Sequence, residues 1–166
     1  MFKIGDLIVY GNAGVCRVTE IGKSPLKGAP EDQEYYTLMP CYAEKSVIFT
    51  PCNNPKVVMR PIVTKEEANA LISNIPMIAA LEILEEKKRE DCYKEIIRSC
   101  DPNKFISIIK TIYIRKQQRI SEGKKATASD EKYFQLAEDK LYGELAIALE
   151  IEKSKVKEYI LECVEM

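Results

Sequence analysis

The period of the apolar residues changes once along this chain, near residue 62, and that change limits the folds open to it. Up to Ile62 apolar residues alternate in short runs broken by glycine and proline, and five of the seven glycines lie there. From Val63 onward the chain is rich in Glu, Lys, Ile, Leu and Ala, with apolar residues three and four apart. A period of two lays one side of a strand on a core, whereas spacings of three and four lay one stripe of a helix on it. Keeping the two periods apart in sequence predicts an α+β chain, with a β domain over residues 1–62 and a helical domain over 63–166.

Within the first part, Leu7-Ile8-Val9-Tyr10 and Val15 to Ile21 flank Gly11-Asn12-Ala13-Gly14, the pattern of a hairpin. Glu34 to Met39 and Ser46 to Thr50 supply two more β-branched and aromatic runs, and Lys23 to Asp32, with Pro25, Gly28 and Pro30, reads as a loop. Four or five short antiparallel strands of this kind suit a strongly bent sheet or a partly closed barrel. If Ile48 and Thr50 face inward, Lys45, Val47 and Phe49 face outward.

In the second part, Thr64-Lys65-Glu66-Glu67 has the form of a capping box, and Asp101-Pro102 and Thr127-Ala128-Ser129-Asp130 are further helix starts. Phe105, Ile108, Ile109, Ile112 and Tyr113 make one apolar face, Phe134, Ala137, Leu141, Leu145 and Leu149 another, and Val156, Ile160 and Val164 a third. A bundle of five or six helices is expected.

Several classes of function are disfavoured. The chain has no histidine, the side chain most used for proton transfer near neutral pH and as a nitrogen ligand to metals. Its six cysteines form no CxxC pair, so reduced, largely buried thiols are expected rather than disulfides or a metal site. Gly22-Lys23-Ser24 resembles the end of a phosphate-binding loop, but the first glycine of that motif would fall on Arg17 inside a strand. Adjacent carboxylates such as Glu66/Glu67 and Glu85/Glu86 diverge around a helix instead of converging on a substrate. No run approaches the roughly 18 to 20 apolar residues of a membrane helix, and the start lacks the pattern of a secretory signal. The expectation is a cytoplasmic, non-enzymatic protein without a cofactor.

Charge distribution is more informative than the net charge of −1. Residues 87–132 carry a net +6, and the flanking 63–86 and 133–166 carry −4 each. A basic middle between acidic flanks is the pattern of a surface that neutralises phosphates independently of base sequence.

Six segments in register then resemble one family. Phe2 to Tyr10 with Asn12-Ala13-Gly14-Val15, Glu34 to Leu38, Val47 to Pro51 with Asn53-Asn54, Met59 to Ile62, Arg98 to Pro102, and Gly143 to Ala146 resemble the CarD family of bacterial RNA polymerase-binding transcription regulators. The resemblance implies a Tudor-like N-terminal β-barrel, similar to the polymerase-interacting domain of transcription-repair coupling factors, that grips the polymerase β subunit. It also implies a helical domain on promoter DNA. Some family members carry arginines where Ser24 and Phe49 stand here, so Lys23, Lys45, Val47 and Phe49 are the candidate polymerase contacts. Some also wedge a tryptophan into the minor groove at the position of Glu86, and this chain has no tryptophan. Lys87, Lys88, Arg89 and Lys132 remain as candidate DNA contacts, with Tyr93, two helical turns from Glu86, as a substitute wedge. The implied function is modulation of open-complex stability and initiation. The alternative is a protein-interaction module that docks on polymerase without touching DNA.

Overall fold

The computed structural model describes all residues except 24–27, 29–31, 44, 84 and 166. The chain divides into two units, Met1–Ile62 and Val63–Met166. Pro25 and Pro30, the core of the expected loop after Lys23, lie outside the described residues.

The first unit is an antiparallel sheet of β1 (Leu7–Tyr10), β2 (Gly14–Lys23), β3 (Glu34–Pro40), β4 (Ile48–Pro51) and β5 (Met59–Pro61), in the order β4-β3-β2-β1-β5. A 3-10 turn, Gly11–Ala13, joins β1 to β2, and Gly11 is required there. Its φ is +42°, and a Cβ would stand 2.8 Å from Val57 Cγ1. Ile8, Cys16, Val18, Tyr36 and Leu38 form the core on one face. The Tyr36 ring packs against Phe2, and its hydroxyl accepts the Phe2 amide at 3.0 Å. Burial pushes the Cys16 thiol up to about 11, as suits a small core hydrophobe.

The sheet is open, which corrects the expected barrel. β5 pairs with β1 and β4 with β3, so both short strands are edges, and no ladder joins them among the described residues. Closure would need donors that Pro51 and Pro61 do not have. A register shift between Val18 and Glu20 bends the long β2 without closing the sheet, and Thr19 Oγ1 donates to the Thr37 carbonyl at that shift.

The second unit contains α1 (Lys65–Ser73), α2 (Arg89–Ser99), α3 (Pro102–Ser121), α4 (Ala128–Leu149) and α5 (Val156–Glu165). Thr64 and Glu67 form the capping box, Asp101 caps α3, and Thr127 caps α4. Replacing Thr64 with Ala removes the hydroxyl that accepts the Glu67 amide, an expected loss of about 1 kcal/mol of stability, measurable by urea unfolding. Tyr93, Ile97, Phe105, Ile108, Ile112, Ala137, Leu141, Leu145 and Val156 lie in one core. Tyr113 and Val164 depart from their expected apolar faces. Tyr113 is 56% exposed and Val164 39%.

Buried polar groups tie these helices together. Glu144 on α4 accepts the Val63 amide at 2.9 Å, fixing where the helical unit begins. The Lys110 ammonium on α3 donates to the Ile75 and Ile78 carbonyls, and Thr111 Oγ1 accepts the Leu81 amide at 2.8 Å. These bonds hold the stretch between α1 and α2, which begins with a 3-10 turn over Ile75–Met77. Among the described residues no helix is long and apolar enough to cross a membrane.

Candidate functional site

The pleat of the sheet decides which candidates in the first unit share a surface. Phe49 pairs with Thr37, and Arg17 pairs with Met39. Phe49 at 37% and Met39 at 36% are partly exposed, whereas Tyr36, Leu38 and Thr50 at alternate positions are buried. Val47, just before β4, is 51% exposed and shares the parity of Phe49. Val47, Phe49 and Met39 therefore form an outward apolar patch. Met39 was absent from the sequence-derived candidates, although the alternation of Glu34 to Met39 carries the signal.

The strand edge beside this patch is chemically open. The Cys52 amide donates to the Glu34 carbonyl at 3.0 Å, which makes Glu34/Cys52, Tyr36/Thr50 and Leu38/Ile48 the hydrogen-bonded pairs of the ladder. The N–H and C=O of Phe49 consequently turn away from β3, toward the free side of β4. Pro51, the next outward position, offers only a carbonyl. An added strand would thus find its donor and its acceptor at Phe49, next to an apolar patch.

The CarD-like/TRCF RID domain family matches residues 2–63. The first unit is a CarD-like RNA polymerase-interacting domain. The match spans the β unit and the first residue beyond it.

Within this RID domain the lysines are separated. Lys45 is exposed in the turn before β4. Lys23, also exposed, ends β2 opposite Glu34, at the other end of the β3–β4 pair. Its parity is that of Tyr36 and Thr50, so it leaves the sheet from the face opposite Phe49. Lys23 and Phe49 do not share one face.

In the helical unit the first turns of α2 and α4 meet. The rings of Tyr93 and Tyr133 are 5.5 Å apart at 53°, and the Lys132 ammonium lies 5.2 Å from the Tyr133 centroid. The expectation that Tyr93 acts as a wedge is overturned. Tyr93 is fully buried, its hydroxyl donating to Asp130 Oδ1 at 3.0 Å and accepting from Arg89 at 3.2 Å. Burial raises this hydroxyl above the usual tyrosine range. Glu86 also lies in a 3-10 turn, Glu86–Lys88, ahead of α2, so the two residues do not share one α-helix.

Glu86 and Asp130 organise the arginines. Asp130 is 1% exposed, and its Oδ2 lies 3.0 Å from Arg115 Nε, an ion pair without hydrogen-bond alignment. Glu86 takes Arg115 at 2.8 Å and Arg89 Nε at 3.1 Å. The hydrogen bond from Arg115, with Arg89 adding to it, holds the Glu86 carboxyl below the usual carboxylate range. Arg89 is therefore occupied internally. Lys110 caps carbonyls, and Arg119 Nε donates to the Lys125 carbonyl at 2.8 Å. Part of the +6 counted over 87–132 is thus engaged inside the fold. Lys87, Lys88 and Lys132 are exposed, with Lys88 loosely paired to Glu85 at 3.8 Å. Asp130 and Arg115 were missed as a pair because the spacing of Thr127 to Asp130 marks a cap and says nothing of what the carboxylate faces.

Proposed function

We propose that this protein is a non-enzymatic transcription regulator that grips the RNA polymerase β subunit through its RID domain and touches promoter DNA through its helical unit. The observation that carries the reading is the open β4 edge, where Phe49 presents an exposed side chain and turns both backbone polar groups outward. Such an edge pairs with a partner strand while neighbouring side chains set specificity. Capture of purified β subunit by the full chain tests it, and loss of that capture in a folded edge variant is the supporting result.

Lys87, Lys88 and Lys132 are the proposed DNA contacts, since the first two are exposed in the turn that leads into α2 and the third is exposed near the start of α4, which α2 meets. Contacts of this kind position the protein on backbone phosphates and carry no base information. A regulator that binds the melted promoter better than the closed one shifts the balance toward it by that difference in affinity. Changing the three lysines to Ala is expected to lower the slope of log affinity against log salt by about 0.9 per lysine on duplex DNA. A slope equal to that of the unaltered protein would remove these residues from the interface.

One observation favours a second reading, in which the helices bind another protein. Tyr113, Ile114 and Ile120 on α3 are each more than half exposed, an apolar surface that backbone-phosphate contact does not need. Salt-insensitive, DNA-independent association of the helical surface with polymerase would support it.

A further inference from the structure

The arrangement of Glu86, Arg89 and Arg115 has the form of an occupied anion site. The two arginine side chains are 18% and 19% exposed and line the wall of a cleft, whereas the Glu86 side chain is 66% exposed at its mouth. The cleft, about 210 Å³, is also lined by Thr127, Ser129, Asp130 and Glu90. That is many times the ~10–15 Å³ that a single water needs in such a cleft, enough for a tetrahedral oxyanion. Arg89 Nε and Arg115 Nη1 both donate to Glu86 Oε2, and Arg115 Nη1 also lies 2.8 Å from Oε1, so two guanidinium groups converge on one carboxylate as they would on a phosphate.

Building on the DNA-contact reading above, we propose that Arg89 and Arg115 form a phosphate-binding fork that Glu86 fills as an internal counter-ion, and that a nucleic-acid backbone phosphate binds there by displacing the Glu86 carboxylate. Glu86 is suited to leave. It sits in a three-residue 3-10 turn without a side-chain cap, and its own side chain is held by the two arginines. Arg115 keeps Asp130 when Glu86 departs, and Arg89 keeps Tyr93, so the fork stays in place. With Glu86 seated, the cleft holds two positive and three negative side chains and repels an anion; with Glu86 swung out it is balanced. Exposed Lys87 and Lys88 on the same turn, and Lys132 on α4, favour a polyanion over an isolated carboxylate. Glu86 thus competes with phosphate, making the contact conditional on a ligand strong enough to expel it.

The test uses the full chain and three proteins: unaltered, Glu86→Gln, and Glu85→Gln. Glu85→Gln makes the same charge change at a neighbour that pairs only loosely with Lys88. Inorganic phosphate is titrated at constant ionic strength while the arginine Nε–H signals are followed by NMR, and duplex DNA binding is measured in parallel. Glu86→Gln is expected to tighten phosphate about fivefold at the Arg89 and Arg115 signals, the factor that a unit charge about 4 Å away is worth in bulk water. Glu85→Gln is expected to change it less than twofold. Equal effects of the two substitutions, or arginine signals that stay still in Glu86→Gln, overturn the fork. Should Glu86→Gln unfold the helical unit, Glu86→Ala is examined in its place, and unfolding of both makes Glu86 a strut and overturns the proposal. Arginine signals that respond to phosphate in a protein that does not bind DNA keep the fork and remove the DNA reading. DNA binding alike in all three proteins with silent arginines does the reverse.

Discussion

Phe49→Ala in the full chain is expected to weaken capture of the RNA polymerase β subunit about thirtyfold while leaving the protein folded. The figure is that of an interface anchor worth about 2 kcal/mol. Phe49 qualifies because it sits on the open edge strand, flanked by Val47 and Met39 on the same face, and is exposed enough that truncation opens no core cavity. Surface plasmon resonance against immobilised β subunit reads the effect, with circular dichroism as the fold check. Lys23→Ala provides the contrast, because Lys23 leaves the sheet from the other face and is expected to change affinity less than twofold. Equal losses at both positions would show that the polymerase surface is not the β4 patch.

The second large effect is expected at Asp130. Asp130→Asn leaves the Arg115 guanidinium without the charge it faces and gives the Tyr93 hydroxyl a weaker acceptor, all within a nearly closed site. Removing one partner of a buried ion pair typically costs 3 to 5 kcal/mol, and the lower end, about 3 kcal/mol, applies here because Arg115 retains Glu86. For a chain of this size that corresponds to a fall in Tm of about 10 °C, read by calorimetry. Lys132→Ala, an exposed neighbour on the same helix, is expected to shift Tm by less than 2 °C. A small shift for Asp130→Asn would mean that the network orders the arginines without stabilising the helices.

Much of the fold is legible in local chemistry. The capping residues Thr64, Asp101 and Thr127 announce their helices because each satisfies backbone amides within three residues of itself. The outward direction of Phe49 is legible for the same reason, since strand alternation needs only near neighbours. The open sheet was harder to foresee. β5 pairs with β1, some fifty residues away, and not with β4 just before it, and strand propensity does not distinguish the two. Tyr113 misled by falling at the edge of a helical stripe, where a few tens of degrees of rotation separate core from solvent.

The site shows the same division. Lys87, Lys88 and Lys132 can be picked from the charge pattern because exposed lysines need no specific neighbour. Arg115 and Tyr93 look equally available in sequence, yet each is committed to a carboxylate that packing delivers from another segment, while Arg89 is held by Glu86 three residues before it. Sequence alone thus determined the division near residue 62, the helix starts, the strand alternation and the resemblance of six segments to the CarD family, all of which rest on contacts between near neighbours or on patterns in the chain itself. Tertiary structure decided the opening of the sheet, the burial of Tyr93, and the engagement of Glu86 and Asp130 with the arginines. Those outcomes depend on which distant groups meet, and the energy of a charge or hydroxyl is set by the partner it finds and the water it loses.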